Sequence, residues 1–298
     1  MYNQITSNKR RTAILIFIFV LFILLLGYFF GRYTDLGYGG LVLAIIISLI
    51  MSLISYYSGD KIALWTAGAV PIKKADNPYV YRLVENLCIT AGLSLPHIYL
   101  INDPAINAFA TGRDPDHASL ALTTGAVEKL ENEELEGVIA HELSHVKNYD
   151  IRLMMVVIIL VGTIALIADW FLRMRFFGFR GRDSNDRGGG QLAAILMIIG
   201  IVLAILSPLI AQLIQLAISR KREYLADASG ALLTRYPEGL ARALEKIKNF
   251  NQPMRRASTA TAHLYIASPF SAKKSLANLF STHPPIDDRI KRLREMIL

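Results

Sequence analysis

The chain has 298 residues, of which 53% are hydrophobic and only 19% are charged. This composition excludes an intrinsically disordered protein, because such chains contain too few apolar residues to form a core. It also excludes a disulfide scaffold, since Cys88 is the single cysteine. The length leaves room for one or two domains with a sizeable core.

The excess of positive charge lies in the last quarter of the sequence. Residues 219–298 contain 15 Lys and Arg against 7 Asp and Glu, whereas residues 1–218 contain 17 of each kind. A basic segment is typical of nucleic-acid binding or of contact with anionic lipid head groups. Because the chain also contains membrane-spanning sequence, we expect the lipid contact and no nucleic acid, with an ordinary solvated surface as the alternative.

Two uncharged stretches near the N-terminus are long enough to cross a bilayer. Thr12–Gly31 has 20 residues without a charge, and 20 residues of helix cover about 30 Å, the thickness of the hydrocarbon core. Leu36–Gly59 is a second uncharged run of 24 residues. We predict a transmembrane hairpin in 1–60, with the basic N-terminus held in the cytoplasm by the positive-inside rule.

Two later uncharged runs, Leu153–Ala168 and Gln191–Ile218, predict a second hydrophobic hairpin in 151–218. If both runs cross, the loop between them places five arginines outside, against the positive-inside rule. A hairpin that enters the bilayer without crossing is the alternative. In either case 61–150 and 219–298 lie on one side, so we expect a multi-pass protein of the cell membrane with two to four transmembrane helices.

The soluble parts combine apolar spacing typical of helices with short runs typical of strands. The predicted helices are Asn77–Gly92, Gly125–Leu130, Glu131–Asn148, Arg220–Leu233, Gly239–Phe250 and Pro285–Leu298. The predicted strands are His97–Ile101, Ala108–Thr111 and Ser119–Thr123. The fold class is therefore mostly α with a small β-sheet (α+β).

An H-E-x-x-H string from His141 to His145 is the most informative feature of the sequence. Four residues are just over one helical turn, so the two imidazoles project from the same face and can share one Zn²⁺. Glu142 is adjacent and can serve as general base toward a water molecule at the metal. Two histidines on an ordinary surface helix are the alternative, but the neighbouring Val138, Ile139 and Leu143 indicate a buried helix, where unpaired imidazoles are costly.

A catalytic zinc needs a third protein ligand and an open position. Glu223, in S-R-K-R-E-Y-L-A-D, is the best candidate. Asp227 lies one turn later on the same helical face, where it can hold a ligand histidine by its outer nitrogen. The alternative is that both acids only balance the basic residues around them. If Glu223 is the third ligand, 61–150 and 219–298 are two parts of one catalytic domain.

The sequence resembles the HtpX-type membrane zinc metalloproteases, in the wider group that includes the CAAX prenyl proteases. The resemblance covers nearly the full length, from the paired N-terminal spans through the H-E-x-x-H helix and a hydrophobic hairpin to the E-x-x-x-D helix and S-T-H-P-P. It implies a zincin-like catalytic domain of the gluzincin type. One Zn²⁺ per chain would be held by His141, His145 and Glu223, with Glu142 as general base and Asp227 beside the ligands.

Two further positions match that family. Asn107, in N-A-F-A-T-G, resembles an element beside the active site, where its amide would bind the substrate backbone. A turn-forming Asn before a strand is the alternative. His283, in S-T-H-P-P, resembles a histidine that stabilises the oxyanion, and an ordinary loop histidine is the alternative.

The short strand Ala118–Thr123 is a candidate for substrate binding. If it lies at an edge of the sheet, its free backbone groups can pair with an extended peptide. The residues expected to contact the peptide are then Ser119, Leu120 and Ala121. An ordinary strand that is paired within the sheet is the alternative.

The leading hypothesis is a membrane-embedded zinc endopeptidase that acts on proteins or peptides, with membrane proteins foremost. The resemblance implies quality control of misfolded or damaged proteins, with the active site on the cytoplasmic side. A non-catalytic zinc-binding membrane protein is the second hypothesis, although metal storage has no use for Glu142. A zinc hydrolase of a lipid or another small amide is the third. The sequence specifies no oligomeric state.

Overall fold

The computed structural model of the chain describes residues 2–33, 37–158, 160, 162–163, 220–250, 252–258, 261–270 and 284–296. His283 and nearly all of the second hydrophobic hairpin predicted in 151–218 lie outside these residues.

Two long helices, α1 (Tyr2–Tyr33) and α2 (Tyr38–Ala67), form a hairpin at the N-terminus. The windows Ile5–Tyr28 and Leu41–Ala67 are long and apolar enough to cross a membrane. Their outer faces carry exposed large apolar side chains such as Phe17, which suits contact with lipid and not with water. The first predicted hairpin is therefore present.

A four-stranded mixed sheet follows α2. The strands are β1 (Ala69–Pro71), β2 (His97–Ile101), β3 (Ala108–Gly112) and β4 (Ala118–Thr123). Their order in the sheet is β1-β2-β4-β3, with β2 and β4 parallel and the other two pairs antiparallel. The strand β1 has only three residues, too few to give a period-two pattern, and for this reason sequence reasoning missed it.

The prediction that Ala118–Thr123 lies at a sheet edge was wrong. The strand β4 pairs with β2 on one side and with β3 on the other. All six of its residues are buried. The backbone of Ser119, Leu120 and Ala121 is therefore not available to a substrate peptide, and the outer strand on this side of the sheet is β3.

Six helices surround this sheet or pack behind it. They are α3 (Pro78–Ala91), α4 (Thr124–Lys129), α5 (Asn132–Lys147), α6 (Arg220–Thr234), α7 (Pro237–Phe250) and α8 (Ile286–Arg294). Each corresponds to a helix predicted from the sequence, and the boundaries differ by a few residues at most, with the largest difference at the end of α8. The described part of the chain is thus mostly helical with a small sheet, as predicted.

The strands β3 and β4 are buried on both faces of the sheet, whereas β1 and part of β2 are exposed. Side chains alternate between the two faces along each strand. Ala108 and Ala110 of β3 join a cluster with Val138 and Ile139 of α5. Phe109, between them, faces the other way and joins a cluster with the last turns of α2. The sheet therefore connects α5, which carries the histidines, to a membrane helix.

Candidate metal centre

The helix α5 holds both histidines of the H-E-x-x-H string inside the protein. A capping box fixes its start, since the Glu131 side chain accepts from the N3 backbone and the Glu134 side chain accepts from the Glu131 amide. His141 and His145, one turn apart, are only 1% and 4% exposed. Imidazoles buried to this degree need partners for both ring nitrogens.

The structure brings Glu223 of α6 against these two histidines. The Nε2 atoms of His141 and His145 lie 3.2 Å apart. The Glu223 carboxylate oxygens lie 3.8 Å from the first Nε2 and 3.6 Å from the second. Ligands of a tetrahedral zinc, each about 2.05 Å from the metal, stand about 3.3 Å apart. The three side chains therefore have the spacing that one small divalent cation requires.

A carboxylate oxygen lies at the far side of each ring, and these two contacts indicate what lies between the rings. His141 Nδ1 is 2.9 Å from Asp227 Oδ1, and His145 Nδ1 is 3.0 Å from Asp150 Oδ2. An ionised carboxylate only accepts, so in the neutral form of each ring the proton is on Nδ1 and Nε2 presents a lone pair. Two lone pairs and a carboxylate that face one another need a cation between them.

The charge balance around the site leads to the same conclusion. Four buried carboxylates and two buried guanidinium groups surround the histidines, which leaves a net charge of −2 when all six groups are ionised and both imidazoles are in the neutral form that binds a metal. They are Glu142, Asp150, Glu223, Asp227, Arg222 and Arg289. Uncompensated charge in a protein interior is costly. A divalent cation at the three ligands would neutralise this excess.

Glu142 points one oxygen at the sheet. Its Oε2 accepts a hydrogen bond of 2.9 Å from the Ala110 amide on the outer edge of β3. Its Oε1 is buried and accepts no hydrogen bond from the part of the chain that the structure describes. Burial raises the pKa of Glu142, although His141 and His145 act in the opposite direction. A carboxyl with one fixed and one unengaged oxygen can exchange a proton with a reactant.

The pKa values of His145 and Asp227 are shifted in opposite directions. Burial lowers the pKa of His145, but the hydrogen bond to Asp150 and the charge of Glu223 outweigh it and raise the pKa to about 9. Burial also acts to raise the pKa of Asp227, but the guanidinium of Arg289 and the His141 hydrogen bond hold it well below its usual range. Asp227 is therefore ionised at neutral pH.

Arg289 of α8 is a component that sequence reasoning left without a role. It is fully buried. Its Nε and Nη2 donate to the two Asp227 oxygens at 2.8 and 2.6 Å, and its Nη1 donates to the Ile266 carbonyl at 2.8 Å. A forked arginine contact of this kind fixes a carboxylate in one orientation. No local sequence pattern indicated this contact, because Asp227 and Arg289 are 62 positions apart.

Asn107 is buried, and its amide already binds backbone within the chain. Its Nδ2 donates to the Ala267 carbonyl at 3.1 Å, and its Oδ1 accepts from the Ala267 amide at 3.4 Å. The same oxygen accepts from the Ala108 amide. The predicted contact with substrate backbone stays a prediction. The contact with Ala267 holds the 261–270 segment beside β3.

Comparisons with known proteins agree with this site. Residues 74–297 match the family described as Peptidase family M48. The chain is 46% identical to a protease HtpX homolog of Caldanaerobacter subterraneus subsp. tengcongensis, over 100% of this chain and 98% of the relative. It is 45% identical to a protease HtpX homolog of Dictyoglomus thermophilum, over 99% of this chain and 94% of the relative.

A solved structure is also similar. The crystal structure of S. mikatae Ste24p aligns with a TM-score of 0.49 and 20% identity, over 98% of this chain and 67% of that one. The resemblance predicted from the motifs is confirmed by the sequence matches. The chain belongs to Peptidase family M48, and it is a membrane metallopeptidase.

Proposed function

We propose that the chain is a membrane-embedded, zinc-dependent endopeptidase that cleaves misfolded or damaged membrane proteins at the cytoplasmic face. The observation that carries the proposal is the convergence of His141, His145 and Glu223, whose ligand atoms all lie within 4.8 Å of one another. Two nitrogens and one carboxylate form a donor set that suits zinc and leaves a fourth position open. When bound there, Zn²⁺ supplies a Lewis acid that polarises the peptide carbonyl and makes water acidic enough to attack at neutral pH.

Glu142 performs the proton transfers in this proposal. Its Oε1 takes a proton from the attacking water and delivers it to the amine that leaves. The Ala110 amide, which donates to Oε2, keeps the carboxylate from rotating away from the reacting atoms. Burial raises the pKa of Glu142, which makes it a better base than an exposed glutamate.

The remaining ionic groups hold the ligands. Asp227 accepts from His141 Nδ1 and is itself held by Arg289. A carboxylate behind a ligand histidine fixes the ring orientation and raises its basicity. In this arrangement α5 contributes the ligand His141, α6 contributes the supporting carboxylate of Asp227, and α8 contributes the guanidinium group of Arg289.

The position of the site near the bilayer supports membrane proteins as substrates. Asn8 of α1 hydrogen-bonds to Asp150, and Asp150 hydrogen-bonds to His145. Asn8 lies one helical turn before Thr12, where the uncharged stretch of α1 begins. The ligand histidine is thus two hydrogen bonds from a residue at the end of a membrane span. A peptide that emerges from the bilayer is within reach of such a site.

The outer edge of β3 is the expected place for the substrate backbone. Exposed strand edges bind extended peptides through main-chain hydrogen bonds. The Ala108 carbonyl already accepts from the Ile266 amide, and the Ala110 amide is used by Glu142. We therefore expect a substrate to pair with the Gly112 end of the strand, on the side of Glu142 away from Asn107.

The substitution Glu142→Gln tests the proposal. The purified chain in detergent is expected to retain zinc, because Glu142 is not a ligand, and to lose cleavage of casein. The control is Glu133→Gln, in the exposed first turn of the same helix, which should leave both measurements unchanged. Cleavage of casein by Glu142→Gln at the wild-type rate would refute the assigned base.

The same preparation separates the rival functions. Zinc-loaded wild-type protein that cleaves no polypeptide would indicate a non-catalytic zinc protein. Release of a product from lipid or from a small amide, without cleavage of casein, would indicate a hydrolase of another substrate class. A wild-type chain that binds no zinc would overturn the proposed metal centre.

A further inference from the structure

A polar cluster connects the first membrane helix to the second ligand histidine. Asp150 Oδ2 lies 3.0 Å from His145 Nδ1. Its other oxygen, Oδ1, accepts from Asn8 Nδ2 at 2.6 Å and from Arg222 Nη1 at 3.5 Å. Asn8 Oδ1 also accepts from Arg222 Nη1, at 3.3 Å. Asn8, His145, Asp150 and Arg222 are each no more than 4% exposed.

Three separate segments contribute to this cluster. Asn8 belongs to α1, Arg222 to α6, and Asp150 begins the helical residues that follow α5. Asn8 Nδ2 makes a second hydrogen bond, of 2.9 Å, to the Asn148 carbonyl. The Asn8 amide thus binds both ends of the short bend between α5 and Asp150. This bend places the Asp150 side chain next to His145.

The bend itself has an unfavourable backbone conformation. Tyr149, between Asn148 and Asp150, has a φ of 60°, a left-handed conformation that residues other than glycine seldom adopt. Two cations lie over the Tyr149 ring. Lys9 Nζ of α1 is 4.5 Å from the ring centroid, and the Arg152 guanidinium carbon is 5.0 Å from it. Strain of this kind persists where the surrounding structure holds it in place, and it is common at functional sites. Here it brings Asp150 back to a histidine five positions earlier.

We propose that Asp150 is a positioning residue for His145 and that Asn8, on the first membrane helix, holds Asp150 in place. The inference rests on the proposed metal function of His145. Asp150 Oδ2 accepts a hydrogen bond from His145 Nδ1, which orients the ring so that Nε2 faces His141 and Glu223. Asp150 thus does for the second histidine what Asp227 does for the first, and a membrane helix is part of the metal centre.

Burial explains why Asn8 is suited to this task. The Asp150 carboxyl group lies in the interior, and the contact between its Oδ1 and Arg222 Nη1 is long, at 3.5 Å. The Asn8 amide adds a shorter hydrogen bond without adding charge, and its oxygen aligns the guanidinium. An alanine at position 8 would leave the carboxylate free to rotate away from the histidine. A ring that is no longer held loses part of its affinity for metal.

Full-length protein in detergent provides the test. Asn8→Ala and Asp150→Asn are each compared with wild type and with Ser7→Ala, a polar-to-alanine control one position away on α1. Zinc affinity is measured by competition with a chelator, and the visible absorption spectrum is measured after loading with Co²⁺. We expect each of the two variants to weaken zinc binding about 10- to 100-fold and to alter the Co²⁺ spectrum. Ser7→Ala should change neither measurement.

The double variant tests whether the two residues act in series. If Asn8 acts only through Asp150, Asn8→Ala combined with Asp150→Asn should bind zinc no more weakly than Asp150→Asn alone. In the single variants, kcat for casein should fall while KM stays the same. If Asn8→Ala prevents folding, Asn8→Ser replaces it in the test. The serine side chain is too short to reach Asp150, so we expect the same loss of zinc affinity and the same change in the Co²⁺ spectrum.

The outcomes distinguish this inference from the proposed function. Folded variants with wild-type zinc affinity and an unchanged Co²⁺ spectrum would refute the positioning role, even if their thermal stability were reduced. In that case wild-type zinc binding and casein cleavage would leave the proposed function intact. A wild-type chain that binds neither zinc nor cobalt would refute the proposed function, and the inference with it.

Discussion

Gly230 of α6 lies directly against the backbone of His141. A Cβ atom built on Gly230 would stand 2.9 Å from the His141 amide nitrogen and 3.1 Å from its Cα. Real Cβ contacts are not this short, so only glycine allows the two helices to approach as closely as they do. Glu223, on the same helix as Gly230, reaches the histidines because of this approach.

The substitution Gly230→Ala should therefore damage the metal centre from a distance. The added methyl group pushes α6 away from α5 and displaces Glu223 from its position beside the two Nε2 atoms. We expect kcat/KM for casein to fall about 100-fold, as small displacements in active sites commonly cause, and zinc to bind more weakly. Gly162→Ala is the matched control, because no residue in the described part of the chain lies within 4 Å of a Cβ at that position. Equal activity of the two variants would contradict this prediction.

Two arginines of α8 allow a buried and an exposed ion pair to be compared. Arg289 is fully buried against Asp227, whereas Arg294 binds Glu238 and Glu245 at the surface. Arg289→Ala leaves a buried carboxylate uncompensated, which costs about 3–5 kcal/mol. Arg294→Ala should cost much less, because water screens its partners. Thermal unfolding in detergent measures both, and a similar loss of Tm in the two variants would show that burial is not the deciding factor.

Metal binding should depend on pH through His145. In the metal-free protein the pKa of His145 is raised to about 9, so the ring carries an extra proton at pH 7.5, and this proton must leave before Nε2 can bind a metal. Each unit of pH below the His145 pKa of about 9 should therefore weaken the apparent zinc affinity about tenfold. Calorimetry in two buffers with different ionisation enthalpies measures the released proton. A heat of binding that is independent of the buffer would contradict the prediction.

Asn107 should affect stability more than turnover. Its amide joins β3 to Ala267 through a donated and an accepted hydrogen bond. Asn107→Ala leaves buried backbone groups without a partner, at a cost of about 1–3 kcal/mol. Tm should fall, while KM of the remaining folded protein should change little, and Asn86→Ala, exposed on α3, should change neither quantity. A raised KM at unchanged Tm would indicate direct contact with substrate.

Local patterns predicted the elements and the ligands well. The strand His97–Ile101 is confirmed residue for residue, because an apolar run ends there at the polar and turn-forming Asn102, Asp103 and Pro104. The helix with the two histidines is confirmed because acidic residues and apolar periodicity mark it clearly. The pairing of His141 and His145 follows from helix geometry alone. Glu223 was a candidate because Asp227 lies one turn later on the same helical face, and the family resemblance implied it as the third ligand.

Contacts between distant segments could not be predicted in the same way. The strand β4 inserts between β2 and β3, an order that depends on a chain crossover and not on any pattern within β4. The available signal was that polar and apolar residues alternate only weakly in Ala118–Thr123. Weak alternation indicates a central strand, since strands that are buried on both faces have few polar positions. Asn8 and Asp150 meet across 142 positions. In the sequence, Asn8 looks like part of the basic flank that sets membrane orientation.

The helix α2 continues without a break from the lipid-facing region into the catalytic domain. Its 30 residues extend about 45 Å, well beyond a hydrocarbon core of about 30 Å. Its last turns pack through Ala63, Leu64 and Ala67 against Phe109 of β3 and Tyr265. If α2 tilts to match a thinner bilayer, the strand β3 that packs against its last turns tilts with it. We therefore expect the acyl-chain length of the surrounding membrane to affect the orientation of β3, the strand whose Ala110 amide donates to Glu142.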